Sequence, residues 1–291
     1  MTRTLPGDDA PRPPSAYSSG PEVPPTDPRS ADLVARLRAA GCVFAEDEAA
    51  ELLRAAQRAG RGDDWLEHAV VERVAGRPLE LVVGEVVFGG LRLVVAPGTF
   101  VPRVRTELLV DLALEALPSG GRVLDLCGGV GAVAAVVAAR GPDTTVVSTD
   151  LDERASACAR ANLAPYEGRA MVRTGDLYAA LPPTLHRGFD VVVANAPYVP
   201  TERIAAMPRE ARDHEPLAAL DGGVDGTDLQ QRVVAGALDW LVDGGRVVVE
   251  CAPAQLPVLR GALASAGFTA EPRADDERGA HAVVGRRGMI G

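Results

Sequence analysis

The second half of the chain alternates short apolar runs with longer amphipathic stretches, and this alternation restricts the fold more than any other feature. The apolar runs are rich in β-branched residues and too short for helices, so they predict strands at 122–126, 145–150, 171–176, 189–195, 246–251, 268–274 and 280–286. Helical patterns lie between most of them, at 131–140, 153–163, 227–242 and 254–266. This order predicts an α/β fold with a doubly wound, mostly parallel sheet. A polar loop joins the last two strands, so we expect an antiparallel hairpin at one edge.

The first half of the chain shows a different pattern. Residues 1–29 are rich in Pro, Ser, Gly and Asp without apolar periodicity, which predicts a disordered tail. Three amphipathic helices follow, the first capped by Ser30, the second at 46–59 and the third from Asp63 to Gly76, which predicts a small helical domain over 30–77. Residues 78–97 switch to a period of two around Gly89-Gly90, which predicts a β-hairpin linker.

Composition narrows the classes of function. The four cysteines (Cys42, Cys127, Cys158 and Cys251) lack CxxC spacing, which argues against a zinc site or a disulfide framework and favours a reducing cytoplasm. No apolar run reaches the length of a membrane span, and the first residues lack the apolar core of a signal peptide. The formal net charge of −10 argues against a nucleic-acid backbone as the main partner.

The tetrapeptide Asn195-Ala196-Pro197-Tyr198 directly follows a predicted buried strand. Ligands of open α/β sheets bind at the carboxyl ends of strands, so these residues are expected to border a crevice. The Asn195 amide oxygen and a neighbouring main-chain carbonyl can accept hydrogen bonds from an amide or amine nitrogen. The Tyr198 ring offers a flat surface on which an amide or a base can lie. Taken alone, the tetrapeptide is equally compatible with an ordinary turn.

A glycine-rich turn at 127–131 joins the first strand of the second half to a helix. Glycines in such a turn allow positive φ angles and a close approach of the backbone to a ligand. Asp125 precedes the turn, Asp150 ends the next strand, and Asp176 ends the one after it. A carboxylate in the place of Asp150 can accept both ribose hydroxyls. Together, these features predict a nucleoside site.

Two cofactors fit this outline. A dinucleotide would place its pyrophosphate on the helix N-terminus, with Gly129, Gly131 and Ala134 as the fingerprint. S-adenosylmethionine has no phosphate and carries two cationic groups, so it prefers an acidic pocket. Asp125 could pair with the cationic amine but would repel a pyrophosphate. The residues therefore favour S-adenosylmethionine over a nicotinamide dinucleotide.

With both motifs placed, the chain resembles the glutamine N5-methyltransferases of the HemK/PrmC type, which modify peptide-chain release factors. The likeness covers about residues 46–260. Its motifs are Glu72-Arg73 with Gly76, Pro78-Leu79, Phe88-Gly89-Gly90, Phe100-Val101-Pro102-Arg103 with Thr106-Glu107, the glycine turn, Asp150, Gly175-Asp176-Leu177, the tetrapeptide, His214-Glu215-Pro216, and the run from Leu220 to Gly226.

The resemblance implies a Rossmann-like, class I S-adenosylmethionine-dependent methyltransferase domain with a seven-stranded sheet over 98–291, preceded by the helical domain and the hairpin linker. It implies S-adenosylmethionine as cofactor and a protein substrate, by default the Gly-Gly-Gln loop of a release factor. We expect a cytoplasmic monomer that binds neither nucleic acid nor membrane directly. The Asp221–Asp228 run and the four histidines lack the spacing of metal ligands, so no metal site is expected.

Residue roles follow from the resemblance by position. Asp125, Gly129 and Gly131 are expected at the methionine part of the cofactor, Asp150 at the ribose, and Asp176 with Leu177 at the adenine. The full set of predicted cofactor-binding residues is Asp125, Cys127, Gly129, Gly131, Asp150, Leu151, Asp176, Leu177, Asn195, Phe100, Arg103 and Thr106. The predicted catalytic residues are Asn195, Ala196, Pro197 and Tyr198. Glu215 either orients a loop over the site or merely precedes a proline in a turn.

The chain departs from the family pattern at two positions, and rival functions stay open. The family usually has proline where Ala196 stands, but alanine also offers the main-chain carbonyl, and Pro197 still favours an extended Ala196. The family usually has glycine where Cys127 stands, so Cys127 either reshapes the methionine pocket or is a small buried residue. The rival functions are a nucleic-acid or small-molecule N-methyltransferase, a non-catalytic module that binds S-adenosylmethionine, and an NAD-dependent oxidoreductase.

Overall fold

The computed structural model describes residues 27–288, so all but the last three residues of the predicted tail lie outside the described part. Four helices come first: α1 (Ser30–Ala39), α2 (Ala45–Arg58), α3 (Asp63–Val74) and α4 (Leu79–Val83). They enclose a core of their own, with Leu33, Leu37, Leu52 and Val70 almost fully buried. The three amphipathic helices predicted from the sequence are confirmed, whereas their division into a separate domain stays a prediction.

The prediction that the hairpin begins near residue 79 is wrong, because residues 79–83 form the short helix α4. Pro78 occupies the N-cap position, and Gly84 ends the helix in the left-handed conformation with a φ of 83°. Leu79 packs into the helical core and Leu81 into the core of the following sheet. An apolar residue at every second position over a single turn cannot distinguish a strand from a helix, and burial on two sides favours the helix here.

The hairpin itself consists of β1 (Glu85–Phe88) and β2 (Leu91–Val94), which pair antiparallel around Gly89-Gly90. The side chain of Asn162 fixes it to the main sheet region. The Asn162 Oδ1 atom accepts the Val94 N–H (2.7 Å), and the Nδ2 atom donates to the carbonyls of Val94 (3.0 Å) and Val130 (2.8 Å). The hairpin is therefore attached directly to the glycine turn.

The remaining chain folds around a seven-stranded sheet. Its strands are β3 (Arg122–Leu126), β4 (Thr145–Asp150), β5 (Ala170–Thr174), β6 (Phe189–Ala194), β7 (Leu241–Glu250), β8 (Phe268–Asp275) and β9 (Ala280–Arg287), in the spatial order β5-β4-β3-β6-β7-β9-β8. The first five strands run parallel, and β9 pairs antiparallel with β7 and β8. The predicted mostly parallel sheet and the antiparallel hairpin at its edge are confirmed.

The helices of this region are α5 (Glu107–Ala116), α6 (Ala132–Arg140), α7 (Glu153–Leu163), α8 (Arg209–His214), α9 (Asp228–Trp240) and α10 (Leu256–Ser265). Alternate residues of the central strands belong to two separate cores. Val191 and Val193 join the core that contains α5 and α6, whereas Val192 and Ala194 join the one that contains α9 and α10. Helices therefore cover both faces of the sheet, as near-continuous apolar strands require.

The predicted helix cap at Ser30 is wrong, because the Ser30 side chain makes no capping hydrogen bond to α1. Ser30 is already the first residue of α1, and Thr106 stands at the N-cap of α5 without a side-chain capping bond. Asp152 is a true cap, since its Oδ1 atom accepts the N–H groups of Arg154 and Ala155 at the start of α7. The Thr106 hydroxyl is free for a different contact.

The described residues contain no helix long and apolar enough to cross a membrane. All four cysteines are unpaired.

Candidate active site

The order of the strands reverses between β3 and β6, and at the carboxyl ends of these strands lies a cavity of about 340 Å³. Its position is the one expected for a ligand of an open α/β sheet, and its volume is in the usual range of ~300–1,000 Å³ for small-molecule sites. All the predicted site residues except Gly131 line it: Phe100, Arg103, Thr106, Asp125, Cys127, Gly129, Asp150, Leu151, Asp176, Leu177, Asn195, Ala196, Pro197 and Tyr198.

Gly131 lies behind the cavity at the N-cap of α6. Its φ is 75°, and a Cβ atom there would approach the Ala159 Cβ atom of α7 to 3.0 Å. The structure thus places this predicted cofactor residue at a close approach between two helices. A packing glycine and a ligand-facing glycine look alike in sequence, so the repeated glycine spacing could not distinguish them.

The glycine turn is built so that its backbone faces the cavity. At Gly128, a Cβ atom would collide with the Ser148 hydroxyl and lie 3.0 Å from Asp125 Oδ2. Gly129 has a φ of 57°, and a Cβ atom there would meet nothing within 4 Å, so any side chain would project into open space beside the cavity. The turn leaves room for a ligand on one side and none for a side chain on the other.

Cys127 and Leu177 both line the cavity with left-handed backbones, at φ angles of 54° and 46°. Outside glycine this conformation is strained, and such residues concentrate at functional sites. The position of Cys127 thus explains why glycine suits the start of this turn. Burial raises the pKa of the Cys127 thiol well above its ordinary value, as do the nearby carboxylates, so the thiol stays protonated and is a poor nucleophile.

Two carboxylates hold the backbone of the turn. Asp150 accepts the Gly129 N–H through Oδ2 and the Asp152 N–H through Oδ1, both at 2.8 Å. Asp125 is almost fully buried and accepts the Ala134 N–H at 3.2 Å. Burial raises the pKa of Asp125 to about 7 and also raises that of Asp150. Because carboxylates already occupy these N–H groups, a pyrophosphate would meet negative charge here.

Asp176 lies two residues beyond β5 and lines the cavity in an ion pair. The Arg232 guanidinium of α9 donates to Asp176 Oδ2 at 2.7 Å, and both side chains are about half exposed. Arg232 also lines the cavity, next to Leu177 and the exposed Leu151. A group bound to Asp176 must therefore share this carboxylate with an arginine that the sequence motifs did not indicate.

Asn195 stands directly after β6, and a hydroxyl from a distant segment fixes its amide. The Asn195 Nδ2 group donates to Thr106 Oγ1 at 3.2 Å. Within residues 27–288, no donor bonds to the Asn195 Oδ1 atom, which remains an acceptor beside the cavity. Ala196, the next residue, is fully buried.

Tyr198 is held at its hydroxyl and at its main chain. The hydroxyl donates to Glu250 Oε1 at 3.0 Å, and the Tyr198 carbonyl accepts from Gln255 Nε2 at 2.8 Å. The same Gln255 amide reaches the Gly226 carbonyl at 3.0 Å, which joins the tetrapeptide to the loop before α9. Burial, and then the Glu250 charge, raise the pKa of Tyr198 above its ordinary value, so the phenol stays protonated.

Glu215 orients the segment at residues 100–106, which settles the two interpretations of its role. Its side chain is fully buried, and its Oε1 atom accepts the Val101 N–H (3.1 Å) and an Arg103 N–H (2.6 Å). The Arg103 guanidinium lies over the Phe100 ring, 5.2 Å from its centroid. Burial raises the pKa of Glu215, while Arg103 acts against this shift.

Sequence reasoning missed three contributors, namely Glu250, Arg105 and Arg232. Glu250 ends β7, the neighbour of the strand that carries the tetrapeptide, so its place at the carboxyl edge of the sheet was a usable signal. The Arg105 and Arg232 side chains are long and flexible, and their partners lie 145 and 56 residues away in sequence, beyond any local pattern.

Comparisons with known proteins show the family and the fold of the chain. The family described as "Methyltransferase small domain" matches residues 94–211. A release factor glutamine methyltransferase of Geobacter sulfurreducens is 35% identical over 75% of this chain and 76% of its own length. The protein of that name in Deinococcus radiodurans is 38% identical over 80% of this chain and 83% of its own length. The crystal structure of a methyltransferase from Pyrococcus furiosus superposes with a TM-score of 0.52 at 18% identity, covering 69% of this chain and 90% of that one, which shows a shared fold.

Proposed function

The chain belongs to the release factor glutamine methyltransferase family, and from this premise we propose that it methylates the side-chain amide nitrogen of a glutamine in a peptide-chain release factor. The observation that carries the proposal is the oriented amide of Asn195. This amide donates to Thr106 and keeps its oxygen as an acceptor beside the cavity. An amide nitrogen of a substrate can donate to that oxygen.

The cofactor side of the cavity suits S-adenosylmethionine. The Asp125 carboxylate is buried without a cationic partner among the described residues, and a bound ammonium or sulfonium group would supply one. Asp150 keeps lone pairs for ribose hydroxyls beyond the two N–H groups that it accepts. Thr149 lines the cavity, and its buried hydroxyl has no hydrogen-bond partner in the described part of the chain. Asp125 and Asp150 are thus the residues that would hold the cofactor most firmly.

When bound, S-adenosylmethionine would supply a methyl group on a positively charged sulfur, and the neutral thioether would be the leaving group. The lone pair of the glutamine nitrogen forms the new carbon–nitrogen bond, and this nitrogen gives up one proton to water. An amide nitrogen is a poor nucleophile because its lone pair is delocalised. The chain contributes orientation, with Asn195 Oδ1 and the Ala196 carbonyl accepting the two N–H groups and Tyr198 packing on the amide plane.

No residue of the chain is needed as a strong base in this scheme. The Tyr198 phenol and the Cys127 thiol both have raised pKa values and stay protonated. The nitrogen loses its proton more readily once it carries the methyl group. Rate enhancement therefore rests on pre-aligned acceptors.

The two departures from the family pattern leave this chemistry intact. Ala196 retains its main-chain carbonyl, and Pro197 keeps the preceding backbone extended. Cys127 adopts the left-handed conformation that glycine would adopt at a lower energetic cost.

The proposal is tested with purified protein, methyl-labelled S-adenosylmethionine and the release factors of the source organism, with peptide mass spectrometry as readout. We expect one added methyl group on the glutamine of the Gly-Gly-Gln loop. A release factor whose loop glutamine is replaced by glutamate is the matched control and should stay unlabelled. Binding of the cofactor without transfer to any release factor would overturn the proposed substrate.

A further inference from the structure

Glu250 is a buried carboxylate next to the cavity that the proposed reaction does not yet use. It is the last residue of β7, and its side chain is 3% exposed. Its Oε1 atom accepts two hydrogen bonds, from the Tyr198 hydroxyl (3.0 Å) and from Arg105 Nε (3.2 Å). Its Oε2 atom is buried without a hydrogen-bond partner in the described part of the chain. Burying a charge is unfavourable unless it is paired, so a buried carboxylate with one unpaired oxygen suggests a functional role.

Glu250 does not itself line the cavity, whereas both of its partners do. Any effect that it has on a substrate must therefore pass through Tyr198 or Arg105. Arg105 is 42% exposed at the cavity mouth, and its guanidinium lies 5.9 Å from the centroid of the Tyr198 ring. Glu250 and Arg105 thus hold the ring at its hydroxyl end and over one face.

The main chain of Tyr198 is fixed independently of Glu250. Its carbonyl accepts from Gln255 Nε2, and the N–H of the next residue, Val199, donates to the Leu220 carbonyl at 3.0 Å. With the backbone fixed, the remaining freedom of Tyr198 is rotation of its side chain. The hydrogen bond to Glu250 removes that freedom, because it fixes the atom farthest from the backbone.

We infer that Glu250 is a positioning residue for methyl transfer, which holds the Tyr198 ring at the angle at which it packs on the substrate amide. The inference rests on the proposed function, since it assigns a purpose to the Tyr198 ring in that reaction. It also assigns the Tyr198 hydroxyl to Glu250, so Tyr198 contacts the glutamine through its ring face and not through a hydrogen bond. Arg105 offsets the Glu250 charge from the solvent side.

The alternative is that Glu250 only stabilises the fold through its ion pair with Arg105. In that case its removal lowers stability, and its effect on methyl transfer does not depend on the Tyr198 hydroxyl. A double-mutant cycle separates the two roles, because residues that act through one contact show non-additive effects.

The cycle combines Tyr198→Phe with Glu250→Met, which removes the acceptor, and with Glu250→Gln, which keeps an acceptor oxygen without the charge. The readouts are kcat and KM for the release factor, the Kd for S-adenosylmethionine, and the Tm. We expect Tyr198→Phe and Glu250→Met each to lower kcat about fivefold, the usual worth of one hydrogen bond. The double variant should be no slower than either single one, Glu250→Gln should recover most of the rate, and the cofactor Kd should stay within about twofold.

Equal losses from Glu250→Met in the presence and absence of the Tyr198 hydroxyl would overturn the inference, as would a wild-type rate in Glu250→Met. If Glu250→Met does not fold, the other two variants decide: a wild-type rate in Tyr198→Phe would contradict the inference, and so would a loss in Glu250→Gln that is equally large in the Tyr198→Phe background. A wild-type enzyme that methylates glutamine with an additive cycle removes only this inference. A wild-type enzyme that does not methylate glutamine removes the proposed function itself.

Discussion

On the cofactor side of the cavity, Asp125 and Asp150 bond to backbone groups close to them in sequence, whereas the side chains on the substrate side bond to groups far away in sequence. The cofactor side comprises residues 125–129 and 150–152, whose contacts span 2, 9 and 21 residues in sequence. The substrate side comprises residues 100–106 and 195–198 with Glu215 and Glu250, and its contacts span 52, 89, 112 and 145 residues.

This difference has a consequence for how each side responds to substitution. On the cofactor side, strand ends and a tight turn fix the geometry, so a change there alters the local backbone. On the substrate side, hydrogen bonds from other segments fix the backbone, and contacts between polar side chains orient the groups that face the substrate. Substitutions there should lower the rate of transfer with little effect on cofactor affinity.

The largest effect is expected from Gly128→Val, because no space exists for a Cβ atom between Ser148 and Asp125. Overpacking of this kind should cost about 3 kcal/mol of unfolding free energy and abolish measurable cofactor binding. Thermal denaturation and calorimetric titration measure both. Gly261→Ala is the matched control, since a Cβ atom there meets nothing within 4 Å, and it should leave stability equal or higher. Equal stability and equal cofactor affinity in the two variants would contradict the close packing at Gly128.

The second-largest effect is expected for the pH dependence of cofactor affinity on the cofactor side. Burial raises the pKa of Asp125 to about 7, so below that pH the carboxyl is mostly neutral and cannot pair with a cation. Affinity for S-adenosylmethionine should therefore rise on the order of tenfold between about pH 5.5 and pH 7, with proton release on binding. Calorimetry in buffers of different ionisation enthalpy measures this. Asp125→Asn should bind more weakly, and its Kd should lose this dependence on pH.

The Asp125 carboxyl group should also affect the stability of the protein in the absence of cofactor. The folded protein binds a proton at Asp125 more tightly than the unfolded chain, whose pKa is near the ordinary value of 3.8. The contribution of this group to the unfolding free energy should therefore fall as pH rises from about 4 to about 7. Denaturant unfolding of the wild type and of Asp125→Asn across this range measures it, and a parallel pair of curves would contradict the raised pKa.

On the substrate side, Thr106→Ala should lower methyl transfer about fivefold, because it removes the hydroxyl that accepts a hydrogen bond from the Asn195 amide. Thr106→Ser keeps the hydroxyl and should restore most of the rate. Single-turnover transfer at saturating cofactor measures both variants. A serine variant as slow as the alanine variant would show that packing of the threonine methyl group, and not the hydrogen bond, matters.

The smallest effect is expected from Cys127→Gly, which relieves a left-handed backbone at a φ of 54°. The gain in unfolding free energy should be at most about 1 kcal/mol, since glycine also loses more chain entropy on folding. Arg187→Gly is the control, because Arg187 has a φ of 50° outside the cavity lining. Denaturant unfolding should show similar gains for both variants, and the cofactor Kd should change only in Cys127→Gly.

The sequence indicated the residues that line the cavity better than the contacts between distant side chains, for a physical reason. A strand that ends in a glycine turn is a local pattern, so Asp125, Gly129 and Asp150 could be placed from their own neighbourhoods. The sequence could not show that Gly131 lies at a helix contact, because a glycine required for helix packing carries the same letter as one that faces a ligand. The partners Glu250 and Arg105 lie 145 residues apart and come together only through the order of the strands.

The most direct test of the proposed methyl transfer is Asn195→Ala, which removes the acceptor proposed to hold the substrate nitrogen. Calorimetric affinity for S-adenosylmethionine and single-turnover transfer to a release factor are measured on the same preparation. We expect a transfer rate lower by a factor of ~100 or more, with cofactor affinity changed by less than about fivefold. Transfer at a near-normal rate, with the cofactor bound as in the wild type, would contradict it.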